Sequence, residues 1–389
     1  MRRLLRRLAL LPVLAIALGL AVAWATGAPP AADEAGARDG ERAELFARHR
    51  DEDGRFFNPW GEDENRSFWR VLQWQLFDDN PWSEAKADPP RIPVVANDGA
   101  SLAAPRGPDE AALTWVGHAT FAVEDGDQVF LTDPHWGERA LVVPREVPPG
   151  IPLEAVPDDA FAVVSHNHYD HLDEWTVENL PGTVAWYVPL GHGGFFRERG
   201  RPVVELDWWE SARHGRFTVT CLPSQHWSRR ITVPTNAWLW CSWLVDSGTR
   251  RYYFAGDTGY FHGFEAFGER FGPIDVALLP IGAYEPRWFM KYQHVNPEEA
   301  YDAFLDLRAR LMVGMHWGTF DLTDEPLDLP PRELARVVAA RGADPQRVRV
   351  LAVGERLELP PPVRAPRVER TRGEEPARRA ADGAAAGGG

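Results

Sequence analysis

The stretch that most constrains this chain is His166-Asn167-His168-Tyr169-Asp170-His171, which follows the apolar run Ala160-Phe161-Ala162-Val163-Val164-Ser165. Such a run, ending in a turn, reads as a buried strand, so the polar cluster is delivered at the rim of a sheet where side chains can converge. Three imidazoles and a carboxylate within six residues cost too much to desolvate together unless something pairs them. A metal ion does so, because neutral imidazole nitrogens and carboxylate oxygens are the ligands of zinc and related divalent ions. Histidines at i and i+2 can point at one ion while the following Asp-His pair reaches a second.

Three further candidates stand at the ends of apolar, strand-like runs. His226 lies in Pro223-Ser224-Gln225-His226-Trp227 after residues 218–222, Asp257 follows Tyr252-Tyr253-Phe254-Ala255-Gly256, and His316 follows Leu311-Met312-Val313-Gly314-Met315. Open sheets present functional groups at strand ends, so independent strand ends bearing an acid or a histidine read as one coordinated signal. Singly each is weak; Asp257 in Gly-Asp-Thr-Gly holds a turn as readily as a metal.

The rest of the chain supplies a frame for that cluster. Strand signals run through 113–116, 120–123 and 129–132, with Gly126 turning between the last two, and continue at 161–164, 184–188, 217–222, 238–245, 251–255, 276–279, 311–314 and 348–351. Helical stretches at 174–180, 261–271, 297–308 and 332–341 separate several of them; Asn296 is a good N-cap followed by Pro297, Glu298 and Glu299. Mixed strands and helices without a sequence repeat indicate a layered α/β (α+β) domain. Its hydrophobic content of 44% with 17 Trp is enough for a sizeable core, and a net charge of −15 argues against a nucleic-acid partner. Cys221 and Cys241 sit in apolar strand-like sequence, which favours buried free thiols over a disulfide.

The ends differ in character. Residues 1–28 start with Arg2, Arg3, Arg6 and Arg7, continue as an apolar run over 8–25 containing Pro12, and read as a signal peptide or membrane anchor, placing the remainder outside the cytoplasm. Residues 29–54 read as a charged, Ala/Gly-rich linker with a short helix around 41–50. The arm at 55–110 is rich in aromatics, including Phe56, Phe57, Trp60, Phe68, Trp69, Trp74, Phe77 and Trp82, with helical spacing at 67–77. It reads as packing on the main domain, or as an apolar surface for lipid or for a second subunit such as a homodimer partner. The catalytic domain spans 111–360, and the tail at 361–389 has no apolar period and reads as disordered.

The pattern His-x-His-x-Asp-His, then His, Asp and His, resembles the metallo-β-lactamase superfamily of binuclear metallohydrolases. Trp115-Val116-Gly117-His118-Ala119-Thr120, Thr132-Asp133-Pro134, residues 165–173, 223–230, Gly256-Asp257-Thr258-Gly259-Tyr260, residues 280–294 and His316-Trp317-Gly318-Thr319-Phe320 are similar to the N-acylphosphatidylethanolamine-hydrolysing phospholipase D family within it. Asn58-Pro59-Trp60 extends the likeness into the arm, whereas the terminal segments depart from the animal pattern. The resemblance implies a four-layer αββα sandwich and two Zn²⁺ per chain. It implies that His166, His168 and His226 hold one ion, that Asp170, His171 and His316 hold the other, and that Asp257 bridges both. It further implies a phosphodiesterase that uses a metal-activated hydroxide on a phospholipid at a membrane surface, with Asp170, Asp257 and His294 catalytic and Tyr169 and His294 against substrate. A related hydrolase acting on a lactone or a soluble phosphodiester is the alternative, because one fold serves many substrates.

Overall fold

The computed structural model describes residues 43–61, 70, 74 and 79–362. Strands β1 (Ala111–Gly117), β2 (Thr120–Asp125) and β3 (Gln128–Thr132) form an antiparallel meander, buried at almost every position. A small hairpin of β4 (Arg139–Ala140) and β5 (Val143–Pro144) follows, and then β6 (Phe161–Val163), β7 (Ala185–Pro189) and β8 (Val203–Leu206) extend the sheet in parallel. The second sheet contains β9 (Ser211–His214), β10 (Phe217–Leu222), β11 (Ser242–Asp246), β12 (Arg251–Phe254), β13 (Val276–Pro280), β14 (Leu311–Met315) and β15 (Val348–Val350). The last strand, β16 (Arg356–Glu358), returns to pair with β1.

The two seven-stranded sheets share one order of neighbours. Along β16-β1-β2-β3-β6-β7-β8 the pairings are antiparallel as far as β3 and parallel beyond it. Along β9-β10-β11-β12-β13-β14-β15 they are antiparallel as far as β12 and parallel beyond it. The sequence carries no visible trace of this doubling.

Side-chain alternation builds the layers. Phe130, Phe161 and Val163 point into the core shared with the second sheet, whereas Leu131, Ala162 and Val164 pack with Val177, Leu180 and Phe196 on the outer side. Those last residues belong to or flank α1 (Glu174–Asn179) and α2 (Gly193–Glu198). On the far side of the second sheet lie α3 (Gly263–Phe271), α5 (Pro297–Asp306) and α6 (Leu329–Ala340), with α3 and α6 against α5 and α5 against β13, while the short α4 (Arg287–Met290) packs Phe289 and Met290 against Trp74. The result is the four-layer αββα sandwich that the resemblance implies.

Helix α5 starts where its cap predicts: Asn296 Oδ1 accepts from Glu299 N at 2.9 Å and Asn296 N donates to Glu299 Oε2 at 3.1 Å, a capping box. The helix expected at 332–341 begins earlier, at Leu329, so Pro330 and Pro331 occupy its first turn. The strand expected at 238–245 starts only at Ser242, because Leu239 N and Cys241 N bond to Leu190 O and Ser165 O across to the first sheet's rim. Edge strands β8, β9 and β16 and helix α2 were not foreseen from sequence.

The described part of the expected linker is packed rather than free. Leu45 is buried, Trp209 Nε1 donates to Leu45 O at 2.7 Å, and Phe46 stacks on Trp209, so apolar side chains within 43–54 cover the exposed edge of the second sheet. Of the helix expected around 41–50, Ala43 and Glu44 are helical and the chain then turns. In the aromatic arm, Phe56 and Trp74 are buried, and Trp60 stacks on Trp208 and Phe261. The expectations for 1–28 and for nearly all of 361–389 lie outside the described residues, as does the expected helix at 67–77 apart from Arg70 and Trp74, both helical. Cys221 and Cys241 are buried free thiols.

Candidate metal centre

The ligand loop leaves β6 through Val164 and Ser165 and is closed by a turn in which His171 N and Leu172 N both bond to His168 O. Asp173 then caps α1 by accepting from Thr176 N, so the loop is pinned between a strand end and a helix start. Asp257 reaches this loop because Gly256, at φ +58, lies against it; a Cβ there would stand 2.5 Å from Ser165 Cβ. His226 arrives after β10, and His316 follows β14 directly, itself at φ 61.

Two four-membered donor groups result, His166, His168, His226 and Asp257 in one and His118, Asp170, His171 and His316 in the other, overlapped by two smaller sets, Asp133 with His166 and His171 and Asp257 with His294 and His316. In the first, His168 Nδ1 lies 2.9 Å from His166 Nε2 and 3.3 Å from His226 Nε2. In the second, His171 Nε2 lies 3.2 Å from His316 Nε2. Asp257 stands between the groups: its Oδ2 is 3.1 Å from His171 Nε2 and 3.9 Å from both His166 Nε2 and His226 Nε2, while its Oδ1 is 3.0 Å from His316 Nε2. His294 sits alongside, Nδ1 3.9 Å from Asp257 Oδ2, its ring 5.4 Å from that of His226 and 5.6 Å from that of His316. His168, Tyr169 and Asp170 are the partly exposed members and mark the open side; the other ligands are buried.

These residues fit a pair of divalent ions. Ring nitrogens facing one another at such distances need something positive between them, and His294 Nδ1 and Asp257 Oδ1, both turned toward the donor groups, have no hydrogen-bond partner among the described residues. Three of the outer nitrogens are tied off: His166 Nδ1 to Ser165 Oγ at 2.9 Å, His226 Nδ1 to Gln293 O at 3.1 Å and His171 Nδ1 to Asp133 Oδ2 at 2.6 Å. Such outer bonds fix the tautomer that leaves the inner nitrogen free for a metal. Burial would raise the pKa of Asp170 and Asp257, yet the surrounding histidines, His171 foremost, together outweigh it and hold both well below the carboxylate range. Burial likewise opposes charge on His316, but Asp257 and Asp170 together raise its pKa to about 9, the response of a site rich in negative charge.

Tyr169 stands apart from both groups: its hydroxyl accepts from Ile231 N at 3.1 Å and its ring lies under the Arg230 guanidinium. Two residues given no role by sequence reasoning belong to the centre. Asp133, directly after β3, accepts from Ser165 N, Ser165 Oγ and His171 Nδ1, each at 2.6 Å. His118, directly after β1, joins the second donor group. The strand-end signal that singled out Asp257 and His316 was present at both.

Comparison with known proteins agrees with this geometry. A beta-lactamase superfamily domain matches residues 128–317. An N-acyl-phosphatidylethanolamine-hydrolyzing phospholipase D 1 of Caenorhabditis elegans is 44% identical over 239 residues, covering 57% of this chain and 67% of that protein. The chain belongs to that phospholipase D family of the metallo-β-lactamase superfamily. A mitochondrial family member of Saccharomyces cerevisiae is 36% identical over 244 residues, which cover 59% of this chain and 52% of the yeast protein. Among solved structures, a metallo hydrolase from the archaeon Ignicoccus hospitalis superposes with a TM-score of 0.50 at 25% identity, covering 64% of this chain and 99% of its own. With this fold and these donor groups, the family member described here is a metal-dependent hydrolase with a binuclear metal-binding site.

Proposed function

We propose that the protein is a zinc-dependent phosphodiesterase of the phospholipase D type that hydrolyses N-acylphosphatidylethanolamine to N-acylethanolamine and phosphatidic acid. The observation that carries this reading is the seating of segment 280–294, the longest stretch of the family likeness, against the donor groups. Gln293 O accepts from His226 Nδ1, Tyr292 O accepts from Gln225 Nε2 at 2.8 Å, and His294 stands beside Asp257. A segment particular to the family therefore forms one wall of the centre.

Two Zn²⁺ are the cofactor in this reading, held by His166, His168 and His226 and by Asp170, His171 and His316, with Asp257 shared. Bound there, such ions supply Lewis acidity toward a phosphoryl oxygen and bring the pKa of water toward neutrality. The chain's own part is to position and exclude. Burial lowers His294 to about 4, so at neutral pH it offers a hydrogen bond to a phosphoryl or leaving oxygen without adding charge. No serine or cysteine nucleophile is needed.

The substrate in this reading is a phospholipid met at a membrane surface outside the cytoplasm. No helix among the described residues is long and apolar enough to cross a membrane. The test is a zinc-loaded preparation given vesicles of N-acylphosphatidylethanolamine in water labelled with heavy oxygen. The expected products are N-acylethanolamine and phosphatidic acid carrying the label in its phosphate. Turnover of a lactone or a soluble phosphodiester with none of the vesicle lipid would assign the alternative instead.

A further inference from the structure

His118 is bound into the centre from three sides. It leaves β1 at φ 53, a left-handed conformation that costs a histidine energy and persists only where the surroundings impose it. Its backbone is tied to the loop that carries His316: His118 N donates to Thr319 Oγ1 at 2.7 Å, and His118 O accepts from His316 N at 3.0 Å and from Trp115 Nε1 at 3.0 Å. Its side chain reaches the other ligand loop, Nε2 standing 3.0 Å from Asp170 Oδ2. That same oxygen lies 3.4 Å from His171 Nε2 and 3.5 Å from His316 Nε2. The residue is 1% exposed, and its ring centroid is 4.0 Å from that of His316.

His118 Nδ1 has no hydrogen-bond partner among the described residues. An unpaired ring lone pair is a weaker loss than an unpaired N–H, so the proton belongs on Nε2, which then donates to the carboxylate. We infer that His118 is a positioning residue for one half of the metal centre: its Nε2–H fixes Asp170 Oδ2 between His171 and His316, while its backbone fixes where His316 begins. The inference rests on the binuclear site and not on the identity of the substrate. One residue thus sets the spacing of two ligand loops that are far apart in sequence, and the half-site they form takes up its ion only in the register that His118 holds.

The test is zinc binding rather than turnover. Metal-free wild-type protein, titrated with zinc against a chromophoric chelator, is expected to take up two ions; uptake of none would sink the metal reading itself, apart from any role of His118. In His118→Ala the ion at Asp170, His171 and His316 is expected to weaken about 10- to 100-fold, the range found when an outer partner of a ligand is removed. The ion at His166, His168 and His226 should change by no more than about twofold, its place assigned by anomalous diffraction. His118→Gln, which keeps an N–H donor, should recover most of the loss, and His118→Met, of similar size without a donor, should not. If the alanine variant fails to fold, the Gln and Met pair gives the same comparison, with the melting temperature of each metal-free variant as the control for folding. Equal weakening of both ions, wild-type uptake in His118→Met, or a glutamine variant as weak as methionine would each overturn the inference.

Discussion

Asp133 lies outside both four-membered donor groups, yet it governs one: with the three hydrogen bonds to its carboxylate all at 2.6 Å it orders Ser165 and His171 together. Because His171 must give its inner nitrogen to an ion, the carboxylate on its outer nitrogen sets both tautomer and basicity. Asp133→Asn should therefore weaken zinc by about 10- to 100-fold at the half-site containing His171, measured by chelator competition, with little change in the metal-free fold. A second residue-scale prediction concerns His192, which belongs to none of the donor groups and whose pKa burial lowers to about 4. Its unfolded pKa is near the ordinary 6.5, so between those values the unfolded chain binds the extra proton; this residue's contribution to stability is intact above about 6.5 and is lost as pH falls toward 4. His192→Asn, which retains a donor toward Pro189 O, should flatten the slope of stability against pH in that window by up to about 1.4 kcal/mol per unit, seen in denaturant titrations of the metal-free protein. The candidate donors His166, His168, Asp170, His171, His226, Asp257 and His316, which the fold brings together, were legible because they cluster or close apolar runs. Asp133 and His118 close such runs too, but each matters through the neighbour it reaches across the fold, and local sequence holds no record of that.

Between residue and molecule, the loop that carries His226 acts as a brace. Arg230 donates through one nitrogen to Asn167 O at 2.9 Å and to Leu172 O at 2.8 Å, and Arg229 N donates to Asn167 Oδ1 at 2.8 Å. The segment bearing four ligands is thus held at both ends by the segment bearing a fifth. Arg230→Met keeps the apolar stem and removes the donors, so it should cost roughly 1–3 kcal/mol for each carbonyl left buried and unpaired. A lowered melting temperature together with weaker metal uptake is the expected result; an unchanged melt would show that water replaces the guanidinium. Elements followed the same rule of legibility as residues. Central strands such as β6 and β13 are apolar throughout and were plain in the sequence. The edges β8, β9 and β16 are short and partly exposed, and edge strands keep charge and polarity that blunt the apolar signal.

For the whole chain, the reading outside the described residues is export, motivated by Arg2, Arg3, Arg6 and Arg7 before an apolar run with no acid until Asp33. Residues 1–40 fused to a reporter that works only outside the cytoplasm should give signal; silence at normal expression would remove the localisation proposal. The matched order of the two sheets bears on what the metal does for the fold. Each sheet changes from antiparallel to parallel at one strand, β3 or β12, and each of those strands leads into a carboxylate, Asp133 in one case and Asp257 in the other. The doubled architecture therefore offers the same strand-end acid twice, one turned to hold a histidine and the other placed between the donor groups. Both donor groups also draw from both sheets: His166 and His168 come from the first and His226 and Asp257 from the second, while His118, Asp170 and His171 come from the first and His316 from the second. An ion in either group is a clasp across the seam between two halves that otherwise meet through a largely apolar core and a few hydrogen bonds, among them Tyr252 Oη to Asp125 Oδ2 and Cys241 N to Ser165 O. Stripping metal with a chelator should lower the melting temperature, and zinc at 100 times its dissociation constant should restore about 2.7 kcal/mol per site. In a pulling experiment the halves of the chelated protein should part at lower force than those of the loaded one, so that a centre built for chemistry also serves as the fastening of the molecule.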